Sequence, residues 1–203
     1  GLGISNINKY MSMFGFGEGE HEGFFEGKDG VIPNPEWKKK MFKGDAWRIG
    51  DTYNTSIGQF GFQVTPYQAL RATAALVNGG EVVEPTIIKS VDGKLGKVLR
   101  TINFDPANQK IVLEGMRQAV TDGTLTMLNT PQISIAGKSG TAQVGVDNEF
   151  SNSWIIGFYP YEKPKYAFVI LMERAPKDYV EGAPGTAQHF FNWLVANKPE
   201  YAK

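Results

Sequence analysis

At 203 residues, with 41% hydrophobic and 12% aromatic content, the chain is long enough to bury a sizeable core and lacks the composition of a disordered polypeptide. Lys and Arg number 21 against 21 Asp and Glu, so a nucleic-acid partner is not indicated, and the absence of cysteine excludes disulfides and thiolate metal sites. No run reaches the ~20 apolar residues of a membrane span and no signal-peptide pattern opens the chain; a membrane anchor is expected only upstream of Gly1. One domain over residues 1–203 is the expectation.

In chain order, residues 15–45 are rich in Gly, Glu and Lys, carry Pro33 and Pro35, and show no sustained periodicity; they predict a long irregular excursion. At Thr65 a helix is predicted. Thr65 can cap, Pro66 suits the first turn, Gln68 completes a capping-box spacing, and Ala69, Leu70, Ala74 and Val77 line one face before Gly79-Gly80. The β-branched run 81–91 and VLRTINF, separated by Asp92-Gly93, predict a hairpin-like pair. Asp105-Pro106 opens a second helix with Val112, Met116, Ala119 and Val120 at helical spacing, ended by Asp122-Gly123.

Three strands are predicted at 133–144, 153–159 and 166–172, the last apolar throughout and expected to be covered on both faces. A final helix begins near Pro184 with Ala187, Phe190, Phe191, Leu194 and Val195 as its apolar stripe. This order predicts an α+β architecture, an antiparallel sheet flanked by helices, with strands 135–144 and 153–159 adjacent.

The sharpest chemical feature is Gly137-Lys138-Ser139-Gly140-Thr141-Ala142, a cation, two hydroxyls and a glycine on one predicted strand. Alternation sends Lys138 and Gly140 to one side and Ser139 and Thr141 to the other, so all can serve one ligand only with local twist or at an exposed edge. Such an edge offers backbone donors to an extended peptide, and Gly140 lets that peptide come close. Elsewhere, His21 among Glu18, Glu20 and Glu22 reads as a solvated acidic loop in preference to a metal site. His189 reads as a helix-boundary residue. Trp37, Trp47 and Trp193 read as packing residues, and Trp154 stays open as a groove wall.

Several segments together resemble the penicillin-binding transpeptidases. Lys138-Ser139-Gly140 is similar to the third active-site motif of that family. Ser56-Ile57-Gly58-Gln59 leading to Val64-Thr65-Pro66-Tyr67-Gln68, Ala74 to Gly80, Gly115 to Val120 with Gly123-Thr124, and Trp154 to Pro160 resemble family passages in order and spacing. Phe60-Gly61 departs, since the family usually has Gly followed by a bulky residue. The Phe14-Gly15-Phe16-Gly17 start and the acidic glycine loop look most like the class B enzymes of cell elongation.

The resemblance implies the serine β-lactamase-like fold, incomplete on its amino-terminal side, and a D,D-transpeptidase acting through an acyl-serine. It also implies a peptidoglycan stem peptide as substrate, covalent β-lactam binding, no cofactor, cell-elongation proteins as candidate partners, and a domain facing the periplasm. Lys138 would be catalytic; Ser139, Gly140 and Thr141 would bind substrate, with the Thr141 N–H in the oxyanion hole. No Ser-x-x-Lys occurs in the chain. That motif and the Ser-x-Asn or Ser-x-Asp motif are both expected before residue 1. The alternatives are a β-lactam-hydrolysing or β-lactam-sensing protein of the same fold, or a non-catalytic scaffold module.

Overall fold

The structure, a computed structural model, describes residues 1–19, 27–86, 96–176, 179 and 181–202. It divides into two compact units, Gly1–Ala72 with Val82–Ile102, and Thr73–Glu81 with Asn103–Lys203.

In the first unit, α1 (Gly3–Met13) packs against α3 (Ile49–Ser56), with α2 (Pro35–Met41) before it in sequence. The excursion predicted over 15–45 therefore contains a helix. Asn34 caps it, accepting from the Trp37 N–H at 2.8 Å, and Pro35 begins it. With three lysines in seven residues it shows no apolar period; burial of Lys38 ties it down instead.

Lys38 is 3% exposed, and its ammonium donates to Asp51 at 2.7 Å and to the Ala46 carbonyl at 2.8 Å while pairing with Asp45 at 3.1 Å. The same ammonium lies 5.7 Å from the centroid of Phe60, whose ring also meets Trp37, Phe42 and Trp47. Phe60 takes a left-handed φ of 59°, unfavourable for a bulky side chain, and this aromatic packing offsets the cost.

Helix α4 (Pro66–Ala75) forms as its start signal predicts: the Thr65 hydroxyl accepts from the Gln68 N–H and the Gln68 side chain accepts from the Thr65 N–H, both at 3.2 Å. The buried Gln68 amide has a second task. It donates to the carbonyls of Glu18 and Asp29, both at 2.8 Å, tying together two positions that flank residues 19–28. Strands β1 (Glu81–Val83) and β2 (Val98–Thr101) pair as expected, and the Asp92-Gly93 turn between them lies outside the described residues.

The second unit holds the antiparallel sheet. Asp105 caps α5 (Pro106–Thr121), accepting from Ala107 and Asn108. Strands β3 (Ala136–Val144), β4 (Phe150–Tyr159) and β5 (Tyr166–Pro176) follow in the order β3-β4-β5, each pair antiparallel. One face carries Ile135, Ile155 and Tyr159 under Ala183, Ala187, Phe191 and Leu194 of α6 (Gly182–Asn197). On the other, Ala136 and Phe158 pack with Met116 of α5 and with Leu76 and Val77.

Four expectations change, the first at Trp193, which was read as a packing residue and is 53% exposed. Phe190 falls off the α6 stripe and is 42% exposed, because Ala183, Ala187, Phe191 and Leu194 already occupy the face towards the sheet. His189 is exposed, 3.8 Å from Glu181, and is not a boundary residue. Strand β5 is half-buried along its apolar run where cover on both faces was expected; it is an end strand of the described sheet.

Candidate active-site strand

Strand β3 pairs with β4 on one side only among the described residues. The register sets Lys138 opposite Ile156, Ser139 opposite Ile155, Gly140 opposite Trp154 and Thr141 opposite Ser153. Because Ile155 lies under α6 and Phe158 faces α5, Ser139 and Thr141 point to the α6 face and Lys138 and Gly140 to the α5 face, as alternation predicts. Lys138, Gly140 and Thr141 are exposed and Ser139 is half-buried.

Which backbone groups are available follows from the same period. The Ser134 carbonyl accepts from the Tyr161 N–H at 2.8 Å, on the β4 side. The next carbonyl, Ile135, must point the other way, and there it accepts from the Arg117 guanidinium of α5 at 2.7 Å. In a strand the N–H and C=O of one residue share a direction, so the N–H groups of Gly137, Ser139 and Thr141 turn to the outer edge. The Lys138 ammonium donates to the Ser139 carbonyl, which belongs to that edge, and this draws the cation there although its side chain leaves from the α5 face.

The glycines separate into two kinds. A Cβ on Gly157 would sit 2.4 Å from the Ala136 carbonyl oxygen and 2.6 Å from the Phe168 ring, so the sheet itself requires glycine there. At Gly140 an added Cβ would meet only Trp154 Cβ at 3.8 Å, an ordinary contact. Nothing in the described fold demands glycine at 140, which fits close approach by something external. Trp154 lies beside that position on the Lys138 face and is partly buried.

The approach to β3 is firmly held. Ser134 donates to the Glu162 carboxylate, and this hydrogen bond, the largest influence on it, holds that carboxyl below its usual range. The Tyr161 N–H also reaches the Ser134 hydroxyl at 3.0 Å. Sequence reasoning missed Arg117 and this brace, since a lone Arg on a helix and a lone Ser before a strand carry no spacing signal. It also overlooked that a Ser-x-Asp triplet, Ser90-Val91-Asp92, does occur. The triplet follows the 56–68 passage in sequence and lies outside the described residues, as does His21.

The family model for the penicillin binding protein transpeptidase domain matches residues 1–192. The chain belongs to the penicillin-binding protein transpeptidase family. It is 32% identical to the peptidoglycan D,D-transpeptidase MrdA of Acinetobacter baumannii, over 97% of this chain and 32% of that protein. It is 30% identical to MrdA of Haemophilus influenzae, over 100% of this chain and 34% of that protein. Penicillin-binding protein 2 of Pseudomonas aeruginosa, solved in complex with WCK 5153, superposes with a TM-score of 0.80 at 34% identity, covering 100% of this chain and 47% of that one. Penicillin-binding protein 2 of Helicobacter pylori, solved as a complex with MreC, gives a TM-score of 0.75 at 31% identity over 96% of this chain and 36% of its own. The chain thus spans about a third of these curated relatives and about half of the Pseudomonas chain. Among the described residues no helix is long and apolar enough to cross a membrane, and no cluster of metal-ligating side chains occurs.

Proposed function

We propose that residues 1–203 form the carboxylate-recognising part of a peptidoglycan D,D-transpeptidase. The observation that carries this reading is the outer edge of β3, unpaired among the described residues, which carries the Lys138 ammonium, the hydroxyls of Ser139 and Thr141 and the outward N–H of Thr141. A serine hydroxyl attacks the penultimate D-alanyl carbonyl of a stem peptide, the peptide bond to the terminal D-alanine breaks, and that residue leaves as its amine takes the proton. An amine of a neighbouring stem then attacks the acyl-serine, forming the cross-link and restoring the hydroxyl. Lys138 supplies positive potential and assists proton movement, Ser139 and Thr141 hold the terminal carboxylate, and Thr141 N–H stabilises the oxyanion, a contribution of about 3 kcal/mol in such sites.

No Ser-x-x-Lys occurs here, so the attacking serine is assigned to a part of the protein outside these residues. β-Lactams, which carry a carboxylate beside a reactive carbonyl, acylate the same serine. The Helicobacter relative's complex with MreC supports a partner of that kind, and the relatives' role in peptidoglycan supports placement of the domain in the periplasm. The test is to incubate the full-length protein and residues 1–203 separately with a fluorescent penicillin and to run both on a denaturing gel. Label on the full-length protein alone is expected. Stable label on residues 1–203 would require one of their own serines as nucleophile and would overturn the assignment.

A further inference from the structure

The Ser139 hydroxyl already has a neighbour, since Thr124 Oγ1 lies 3.2 Å from Ser139 Oγ. Thr124 is exposed, yet its backbone is fixed from both sides. Before it, Gly123 crosses so near the end of α5 that a Cβ there would sit 2.9 Å from Ala119 Cα, and the Leu125 N–H closes the turn onto the Ala119 carbonyl at 2.8 Å. After it, Leu125 is fully buried, with Cδ1 3.3 Å from where a Gly137 Cβ would stand. The helix exit is therefore bolted to β3 one residue away from Thr124, and the threonine is presented to Ser139 by a built turn.

A serine hydroxyl has one proton and two lone pairs. If Ser139 gives its proton to Thr124 it has none for a ligand; if Thr124 donates, the Ser139 proton is free to point outward. An anion at the β3 edge selects the second arrangement, because it attracts the Ser139 proton and leaves only lone pairs for Thr124. A chain of hydroxyls ending on an anion is polarised along its length, so the outer hydrogen bond is strengthened by the inner one.

We infer that Thr124 is a positioning residue for carboxylate recognition: its hydroxyl donates to Ser139 Oγ and commits the Ser139 proton to the terminal carboxylate of the ligand. The inference rests on the transpeptidase reading given above. It predicts an effect confined to ligands with a negative charge at that point and dependent on Ser139.

The experiment uses full-length protein and measures the second-order acylation rate with a fluorescent penicillin and with its carboxyl methyl ester. Thr124→Val keeps the shape and removes the hydroxyl, and it should slow acylation by the free acid about 5- to 10-fold, the scale of one net hydrogen bond between neutral groups. The ester should change less than twofold, the conservative Thr124→Ser should restore most of the rate, and Thr124→Val added to Ser139→Ala should cost little more than Ser139→Ala alone. Equal slowing for acid and ester, or equal slowing with and without the Ser139 hydroxyl, would reveal a merely structural threonine and overturn the inference. An unchanged rate in Thr124→Val would do the same. If unmodified full-length protein takes no label from either probe, the transpeptidase reading fails, and this inference fails with it.

Discussion

Two lysines illustrate how one side chain serves two ends. Lys38, in the first unit, is almost fully buried, and the three protons of its ammonium are engaged by Asp51, Asp45 and the Ala46 carbonyl. Lys138, in the second, is exposed, and its ammonium contacts the carbonyl of the next residue without any acidic partner among the described residues. A saturated cation holds a fold together but has nothing left for a ligand. A cation kept at a strand edge with protons to spare contributes little to folding and remains available to an anion. The difference lies in surroundings, and it predicts opposite mutational phenotypes.

The largest effect is expected at the available lysine. Lys138→Ala in full-length protein should lower penicillin acylation about 100-fold or more while the thermal midpoint moves by no more than a degree or so. Activity and stability falling together would place Lys138 in the structural class and remove the contrast. The saturated lysine should behave in reverse: Lys38→Ala removes the ammonium that hydrogen-bonds the largely buried Asp51, and should lower the midpoint by on the order of 10 °C. A midpoint unchanged in Lys38→Ala would mean that α2 is held by the aromatic cluster alone.

The glycines sharpen the same comparison on a smaller scale. Gly157→Ala forces a methyl against a backbone carbonyl and an aromatic ring, so about 2 kcal/mol of stability should be lost in a denaturant titration. Gly140→Ala adds a methyl with room around it, so stability should hold while acylation falls roughly tenfold through poorer approach of the ligand. Were Gly140→Ala to acylate at the unmodified rate, the edge near residue 140 would not be where ligand backbone lies.

Much of the second unit was legible in the sequence because its signals are local and periodic. Asp105-Pro106 and Asp122-Gly123 bracket α5, and β5 opens with an apolar run of strand length. The reciprocal Thr65–Gln68 cap was readable for the same reason. The first unit was harder. Asn34-Pro35 is the same kind of start signal as Asp105-Pro106, but the seven residues after it carry no apolar face, since what anchors them is a buried lysine whose acids come from 45 and 51. Periodicity cannot report a charge pair closed by tertiary structure. At the site, the alternation of Lys138 and Ser139 followed from the strand period, whereas Thr124 and Arg117 meet β3 only through the path of the α5 exit and its packing.

The smallest effect concerns pH, and its sign is fixed by the buried pair. The hydrogen bond from Lys38, more than any other influence, holds the Asp51 carboxyl below its ordinary 3.8, and the same partner lowers Asp45. The hydrogen bond to Asp51, against the opposing effect of burial, raises Lys38 above its ordinary 10.5. A carboxyl lowered on folding contributes stability above its unfolded value, and that contribution is lost as pH falls through the folded value. A raised lysine contributes below its unfolded value, and loses the contribution as pH rises through the folded one. The cluster should therefore be indifferent to pH between about 5 and 9, and should weaken below about 4 and above 10.5. Since Trp37 and Trp47 both pack on Phe60 beside Lys38, their fluorescence reports on this neighbourhood. On acidification from pH 7 to 3 the midpoint of unmodified protein should drop a few degrees further than that of Lys38→Met, in which Asp51 has lost the partner that lowers it. Parallel curves for the two proteins would mean that the acid sensitivity arises elsewhere, and that Lys38 holds α2 by burying its stem and not by its charge.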